Sequence, residues 1–438
     1  MKVVLVSTYD LGHQPLGLAS PAAWLRERGH EVVCADLAVN ALPSLEVREA
    51  DAVGFFLPMH TATRLAVDVI GKVKLLNPRA RLLAYGLYAP LNGDYLRELG
   101  VDSALGGEYE QLLAEALESP AGARVAMDRL PFRQPDRTSL PVLSRYSKLH
   151  VNGSVHAVAY TEASRGCKHM CRHCPVVPVY QGRFRVVPAE VVLADIRGQI
   201  AGGATHVTFG DPDFFNGPTH AMRILKSLHG EFPAVTYDVT IKVEHLLRHS
   251  NLLPVLKETG CLFVTTAVES VDDRILEKLD KGHTRADFLE VAGLVRELGL
   301  TLAPTFIPFT PWTTREGYLE LLRTVAGLGL VANIAPVQLA LRLLIPAGSR
   351  LLELPEIRQV ETGFDRAALL HRWRHPDPQV DALAARVLGL VNSAQKKGWP
   401  REDIFAAVWE AASDQPPPEN YRLLPRAAIP YMDEPWYC

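Results

Sequence analysis

Short apolar runs alternate with amphipathic stretches along most of this chain. Near the amino terminus the runs at 3–7, 31–35, 52–57, 81–85 and 102–105 are too short for helices. Between them, 21–28, 63–76 and 93–99 carry the three-to-four spacing of helices. This alternation predicts a doubly wound, Rossmann-like parallel sheet, with its ligand crevice at the carboxyl ends of the strands. Residues 7–17, 57–60 and 86–90 are therefore rim segments of a first domain, 1–118.

The pattern breaks at 119–150, where Ser119-Pro120, Leu130-Pro131, Gln134-Pro135 and Leu140-Pro141 bias the backbone away from helix. That stretch reads as an extended linker. Alternation then resumes. Strands are expected at 156–163, 206–209, 235–240, 261–267, 301–307 and 333–339, and helices at 188–198, 219–228, 285–298 and 315–328. Six units predict a partial (β/α)6 barrel over 151–345, open on one side, with chemistry at the carboxyl ends of its strands. Helical patterns at 365–373, 380–396 and 401–413 make 346–438 a helical extension with a tail.

Just past the first barrel strand stands Ser164-Arg165-Gly166-Cys167-Lys168-His169-Met170-Cys171-Arg172-His173-Cys174-Pro175. Three cysteines at C-x3-C-x2-C are too close for a regular helix or strand to converge them, so the segment reads as a loop folded around one object. Soft thiolates suit an iron–sulfur cluster or zinc. Structural zinc usually takes four ligands in separated pairs, and here only His169 or His173 offers a nearby fourth. Three thiolates on a four-iron cluster leave one iron open to a small chelating molecule.

The loop resembles the cluster-binding loop of the radical SAM superfamily. That resemblance implies a 4Fe–4S cluster on Cys167, Cys171 and Cys174, with S-adenosylmethionine on the fourth iron. His173 stands where many members carry an aromatic residue and implies packing on adenine. Gly210-Asp211-Pro212-Asp213 resembles the motif that receives the methionine amino group, and Glu269-Ser270 the ribose-binding position. Residues 304–313 match the region that packs on adenine, and 272–284 a common family segment read here as a solvated helix face. Lys242, just past the third strand, is placed to meet the carboxylate of the cofactor or a substrate, and a surface lysine is the favoured reading. The implied chemistry is reductive cleavage of S-adenosylmethionine to a 5′-deoxyadenosyl radical that modifies a substrate the sequence does not name, fed by an electron donor such as flavodoxin or ferredoxin.

The first domain resembles the cobalamin-binding domain that often precedes a radical SAM core, through residues 15–32. The family's D-x-H-x-x-G pattern is not matched, because Asp10-Leu11-Gly12-His13 has one extra residue before the histidine. His13 is read as a polar rim or turn residue. A cobalamin-dependent radical methylase and a domain kept only as a scaffold both remain open. The tail, ending Glu434-Pro435-Trp436-Tyr437-Cys438, resembles radical SAM proteins named for a terminal C-U-A-E-P or C-C-A-E-P. This implies a functional thiol at Cys438 and a chain cut at a selenocysteine codon.

Composition narrows the setting. With 46 basic and 49 acidic residues the net charge is −3, which excludes bulk electrostatic binding of nucleic acid. Six cysteines in 438 residues are no disulfide scaffold. Cys34 and Cys261 sit in apolar contexts and read as buried, inert thiols. No signal-peptide pattern or membrane-length apolar run is present, so a reducing cytoplasm is expected. A non-catalytic iron–sulfur or metal-binding sensor is the alternative outside the enzymes.

Overall fold

The computed structural model describes residues 1–119, 122–417 and 429–433. Cys438 and residues 434–437 lie outside the described residues. The amino-terminal sheet holds β1 (Lys2–Ser7), β2 (Glu31–Asp36), β3 (Ala52–Phe56), β4 (Arg81–Tyr85), β5 (Ser103–Gly107) and β6 (Gly122–Ala126). All pair in parallel, in the order β2-β1-β3-β4-β5-β6. The first five are the expected runs, buried on both faces as parallel strands are. β6 arises inside the stretch read as a linker. The remainder of that stretch ties the two halves together: Arg137 holds Asp195 at 2.7 Å, Gln14 at 2.8 Å and the Tyr160 carbonyl at 2.7 Å.

The first helix, Leu16–Glu27, starts earlier than the pattern indicated and runs through Pro21. A proline inside a helix leaves the carbonyl four residues back without its donor. Here that carbonyl belongs to Gly17, and the buried Tyr85 hydroxyl donates to it at 2.9 Å.

The second sheet opens with a hairpin, β7 (Lys148–Val151) and β8 (Ser154–Thr161). A short antiparallel pair, β9 (Ser164–Gly166) and β10 (Phe184–Val186), brackets the cysteine loop. Then come β11 (His206–Phe209), β12 (Thr236–Thr240), β13 (Cys261–Glu269) and β14 (Thr301–Phe306), each parallel to its neighbour and followed by helical segments. Helix Arg285–Glu297 begins with a capping box between Thr284 and Asp287.

Five parallel strands are regular. The sixth unit differs from the expected strand at 333–339, which is instead two 3-10 turns, Val331–Asn333 and Pro336–Leu339. Pro336 has no amide to give a ladder. Side chains take over that edge: Asn333 Nδ2 donates to the Leu302 carbonyl at 2.7 Å, and Gln338 Oε1 accepts from the Phe306 amide at 3.0 Å. The backbone rejoins only at one parallel bridge, Phe309 to Arg342.

Two further differences lie beyond the barrel. The helix expected at 365–373 is an antiparallel hairpin, β15 (Glu361–Asp365) and β16 (Leu370–Trp373), turned at Leu369 with φ 55°. Trp373 anchors it, donating its indole N–H to the Leu343 carbonyl at 2.9 Å. Last, β17 (Tyr431–Met432) pairs with β7 and extends the second sheet to the order β14-β13-β12-β11-β8-β7-β17. Met432 and Leu149 pack against Phe263 and Ala303, so this added edge curls across to the other side of the half-barrel.

The carboxyl ends of the two sheets face each other, joined by a buried guanidinium. Arg165 on β9 contacts Glu110 at 2.6 Å, Glu162 at 3.1 Å and Glu108 at 3.7 Å, and lies over the rings of Tyr109 and Phe132. Removing one partner of a buried pair leaves an uncompensated charge and costs about 3–5 kcal/mol. Arg165→Met is expected to lower the unfolding free energy by an amount of that order, read as a lower urea midpoint. An unchanged midpoint would show that Arg165 does not hold the halves together.

Candidate active site around the three cysteines

Gly166 ends β9 with φ 73°, and a Cβ there would meet the Tyr180 ring at 2.3 Å and the Arg183 carbonyl at 2.6 Å. Only glycine makes this turn. The loop that follows is pinned from outside. The Arg172 amide donates to the Leu279 carbonyl at 2.9 Å, Arg350 donates to the Met170 carbonyl at 2.7 Å, and Ser349 to the Arg172 carbonyl at 3.1 Å. Asn216 accepts from the Lys168 amide at 3.3 Å.

Cys167 and Cys171 are buried and Cys174 is partly buried. Burial and the neighbouring Cys171 and Cys167 push the Cys174 thiol up to about 12, against the pull of Lys281. Three converging thiols of this kind ionise together only around positive charge, which a metal centre supplies. Of the three sulfurs, only that of Cys167 belongs to a described group of ligand atoms lying within 4.8 Å of one another.

Among the described residues a different trio meets that 4.8 Å limit: Cys167, His169 and Asp213. Asp213 is fully buried, 2.5 Å from His245 and 3.4 Å from His169, and its other oxygen accepts from the Phe215 amide at 3.2 Å. Burial opposes its charge, but the two histidines hold it well below the usual carboxylate range.

The remaining expected residues fall at strand ends, as the pattern indicated. Asp211 spends both oxygens on the root of the cysteine loop, accepting from the Ala163 amide at 2.9 Å and the Ser164 hydroxyl at 2.6 Å. Burial raises it to about 7, against those two bonds. A Cβ on Gly210 would meet the Tyr160 hydroxyl at 1.9 Å. Ser270 is buried and its hydroxyl accepts from the Asp272 amide at 3.1 Å. Glu269 sits at the end of β13 beyond a register shift, in a left-handed conformation with φ 67°. Such a conformation is costly for a non-glycine residue, and tends to persist where surrounding structure enforces it. Glu269 lies 3.1 Å from His173 and 3.2 Å from Lys281. Burial opposes its charge, yet Lys281 and His173 hold it down to about 2.

Three cationic or titratable groups here differ from the favoured sequence reading, and two of them, Lys281 and His283, were given no role in it. Lys242 is buried rather than on the surface, its Nζ 3.7 Å from Cys171 Sγ. Lys281 and His283 follow helix Asp273–Leu279, within the segment read as a solvated face, but the left-handed Asp280 and Gly282 turn both inward. Burial and the neighbouring Lys281 and Lys242 pull the His283 imidazole down to about 4. The signal was present in Lys281-Gly282-His283, a charged pair flanking a glycine just past a helix end.

The radical SAM superfamily profile matches residues 161–325, which spans the cysteine loop and β11 to β14. The chain carries a radical SAM domain. The hopanoid C-3 methylase of Methylococcus capsulatus is 26% identical over 321 residues, 68% of this chain and 62% of that protein. A tRNA-2-methylthio-N(6)-dimethylallyladenosine synthase from Klebsiella pneumoniae is 22% identical over 77% of this chain. The chain spans less than two thirds of the first of these relatives. In fold it is similar to OxsB with aqua-cobalamin bound, at TM-score 0.67, 14% identity, 90% of this chain and 67% of that one. It is also similar to the methyltransferase TsrM from Kitasatospora setae, at TM-score 0.60, 15% identity and 89% of each chain.

Direct contacts cross the crevice above the first sheet in this chain. The His13 ring stacks on Tyr160 at 4.5 Å, and His60 bonds the Ala368 carbonyl at 2.5 Å. Leu87 and Leu91 pack on the core formed by Cys167, Val176, Val179 and Tyr180, while the Tyr180 hydroxyl donates to the Gly107 carbonyl at 3.3 Å. Beneath Gly17, Phe56, Tyr85 and Tyr109 fill the floor with ring centroids 5.1–6.4 Å apart. The rim of the first sheet thus touches the second half directly at β1, β3, β4 and β5.

The Glu269–Lys281 pair sets a pH dependence. Glu269 has a depressed folded value, so its contribution to stability is present above about 4.5 and is lost as pH falls toward 2. Lys281→Met leaves that carboxylate buried with less compensation and raises its pKa. The variant is expected to lose roughly 3–5 kcal/mol at pH 7.5 and measurably less at pH 5, by urea unfolding. A penalty that is equal at both pH values would show that the pair does not govern the charge of Glu269.

Proposed function

We propose that this chain is a radical SAM enzyme that binds a 4Fe–4S cluster on Cys167, Cys171 and Cys174 and modifies a substrate without cobalamin. The observation that carries the reading is the pinned loop of three thiols, set inside a ring of buried charge. When bound, the cluster and S-adenosylmethionine supply reductive cleavage of a sulfonium carbon–sulfur bond. The chain's own residues bind and orient. Lys242 and Lys281 offer ammonium donors beside Cys171 to the methionine carboxylate. Glu269 offers a carboxylate to ribose hydroxyls, Ser270 fixes the turn beneath it, and His173 lends a flat ring for adenine. Asp211 positions the root of the loop and Gly210 lets it pass Tyr160. Asp213 orients His169 and His245.

The amino-terminal sheet acts in this reading as a rigid seat for the cluster loop. The electron donor is a flavodoxin or ferredoxin in a reducing cytoplasm. In keeping with that setting, no helix among the described residues is long and apolar enough to cross a membrane. The tail thiol Cys438 is assigned to substrate turnover. The selenocysteine-codon reading of the tail rests on the resemblance alone.

A second reading is favoured by the Cys167–His169–Asp213 trio: a zinc-type site with no redox role. Anaerobic reconstitution separates the two. The radical SAM reading expects four irons per chain, the brown absorbance of a cluster, and 5′-deoxyadenosine on reduction with S-adenosylmethionine. Cys171→Ala should lose both iron and product, whereas one zinc retained by Cys171→Ala supports the trio. In the same preparation, aqua-cobalamin is expected to separate from the protein on gel filtration. Its co-elution at one per chain would overturn the direct-docking account of the amino-terminal domain.

A further inference from the structure

Along β13 and β14 runs a cavity of about 630 Å3 that no step above uses. Thr265, Thr305 and Gln338 line it toward the cluster side: Thr305 immediately precedes Phe306, which pairs with Glu269. Phe263, Ala303, Pro304, Pro336 and Met432 give it apolar walls. Trp399, Arg401, Tyr431 and Asp433 stand elsewhere in the lining. Pockets of this size and mixture are typical of small-molecule sites.

The charges in the lining are unequal. Asp433 is taken up by His150 and the Lys148 amide. Arg401, at the first position of helix Arg401–Ser413, donates one N–H to the Ala332 carbonyl at 3.0 Å and, among the described residues, meets no carboxylate within 4 Å. Burial pulls its guanidinium down to about 10. A partly buried arginine with one neutral partner has most of its fork of donors unused, and that fork matches carboxylate or phosphate. The helix start beside it has no side-chain cap, so the first-turn amides add to the same positive end.

We propose that this cavity is the substrate site, and that it takes a small, partly apolar molecule whose carboxylate or phosphate is held by Arg401 while its other end points toward Glu269. The proposal rests on the radical SAM reading for the identity of the cavity's occupant as substrate. It gives the enzyme a recognition handle set apart from the cluster.

The test uses the reconstituted holo-protein with S-adenosylmethionine present. Benzoate, phenyl phosphate and the uncharged isostere benzamide are titrated by calorimetry. One anion is expected to bind at least tenfold tighter than benzamide, since a hydrogen bond to a charged group is worth roughly 1.5–3 kcal/mol. Arg401→Met should remove that preference without changing benzamide binding, and Arg401→Lys should keep part of it. Whichever anion is preferred distinguishes a carboxylate from a phosphate substrate. Equal affinity for all three probes, no binding at millimolar concentration, or an anion preference that survives in Arg401→Met overturns the proposal. Iron content measured on the same wild-type and Arg401→Met samples keeps the readings apart, because failure of the radical SAM reading shows as missing iron in the wild type.

Discussion

The Arg165 guanidinium, buried among Glu108, Glu110 and Glu162, is the interaction on which the rest of the structure depends. It lies one residue before the Gly166 turn and two before the first cysteine of the loop. Its partners Glu108 and Glu110 come from the carboxyl end of the other sheet. Burial raises Glu108 to about 7, against the pull of Arg165. Such a cluster contributes little net stability over an apolar substitute, but its geometry allows few alternatives. One charged group therefore fixes both the docking of the two halves and the starting point of the cysteine loop.

That docking also decides what the carboxyl-end rim of the first sheet meets. A doubly wound sheet presents its carboxyl ends to whatever lies above. In this chain what lies above is protein: Tyr160 on His13, Val176 and Tyr180 against Leu87 and Leu91. The spacing mismatch at Asp10 to His13 agrees with that arrangement, since His13 packs between sheets and burial pulls it down to about 4.

The parallel strands and the cysteine loop were legible because each is a local signal: an apolar run of strand length, or three thiols within eight residues. The buried ring around the loop was not. Lys242, Lys281 and His283 have the composition of surface residues, and only tertiary structure turns them inward. The expected helix at 365–373 failed for a related reason. Asp365-Arg366-Ala367-Ala368-Leu369 has good helical propensity, but burial of Trp373 and the left-handed Leu369 impose a hairpin, and packing outweighs propensity of a few tenths of a kcal/mol per residue.

The missing sixth strand is where structure and function meet. A regular strand at 333–339 would continue the ladder past β14 and bring its alternate side chains into the lumen. Pro336 prevents this, and Asn333 and Gln338 satisfy the exposed groups of β14 with side chains instead. Two hydrogen bonds to Leu302 and Phe306 thus replace a ladder, and the chain there runs through two 3-10 turns. The space this leaves is lined by the same Asn333 and Gln338, with Arg401 alongside. The departure from the expected pattern and the proposed binding cavity share one cause: an edge capped by side chains rather than by backbone.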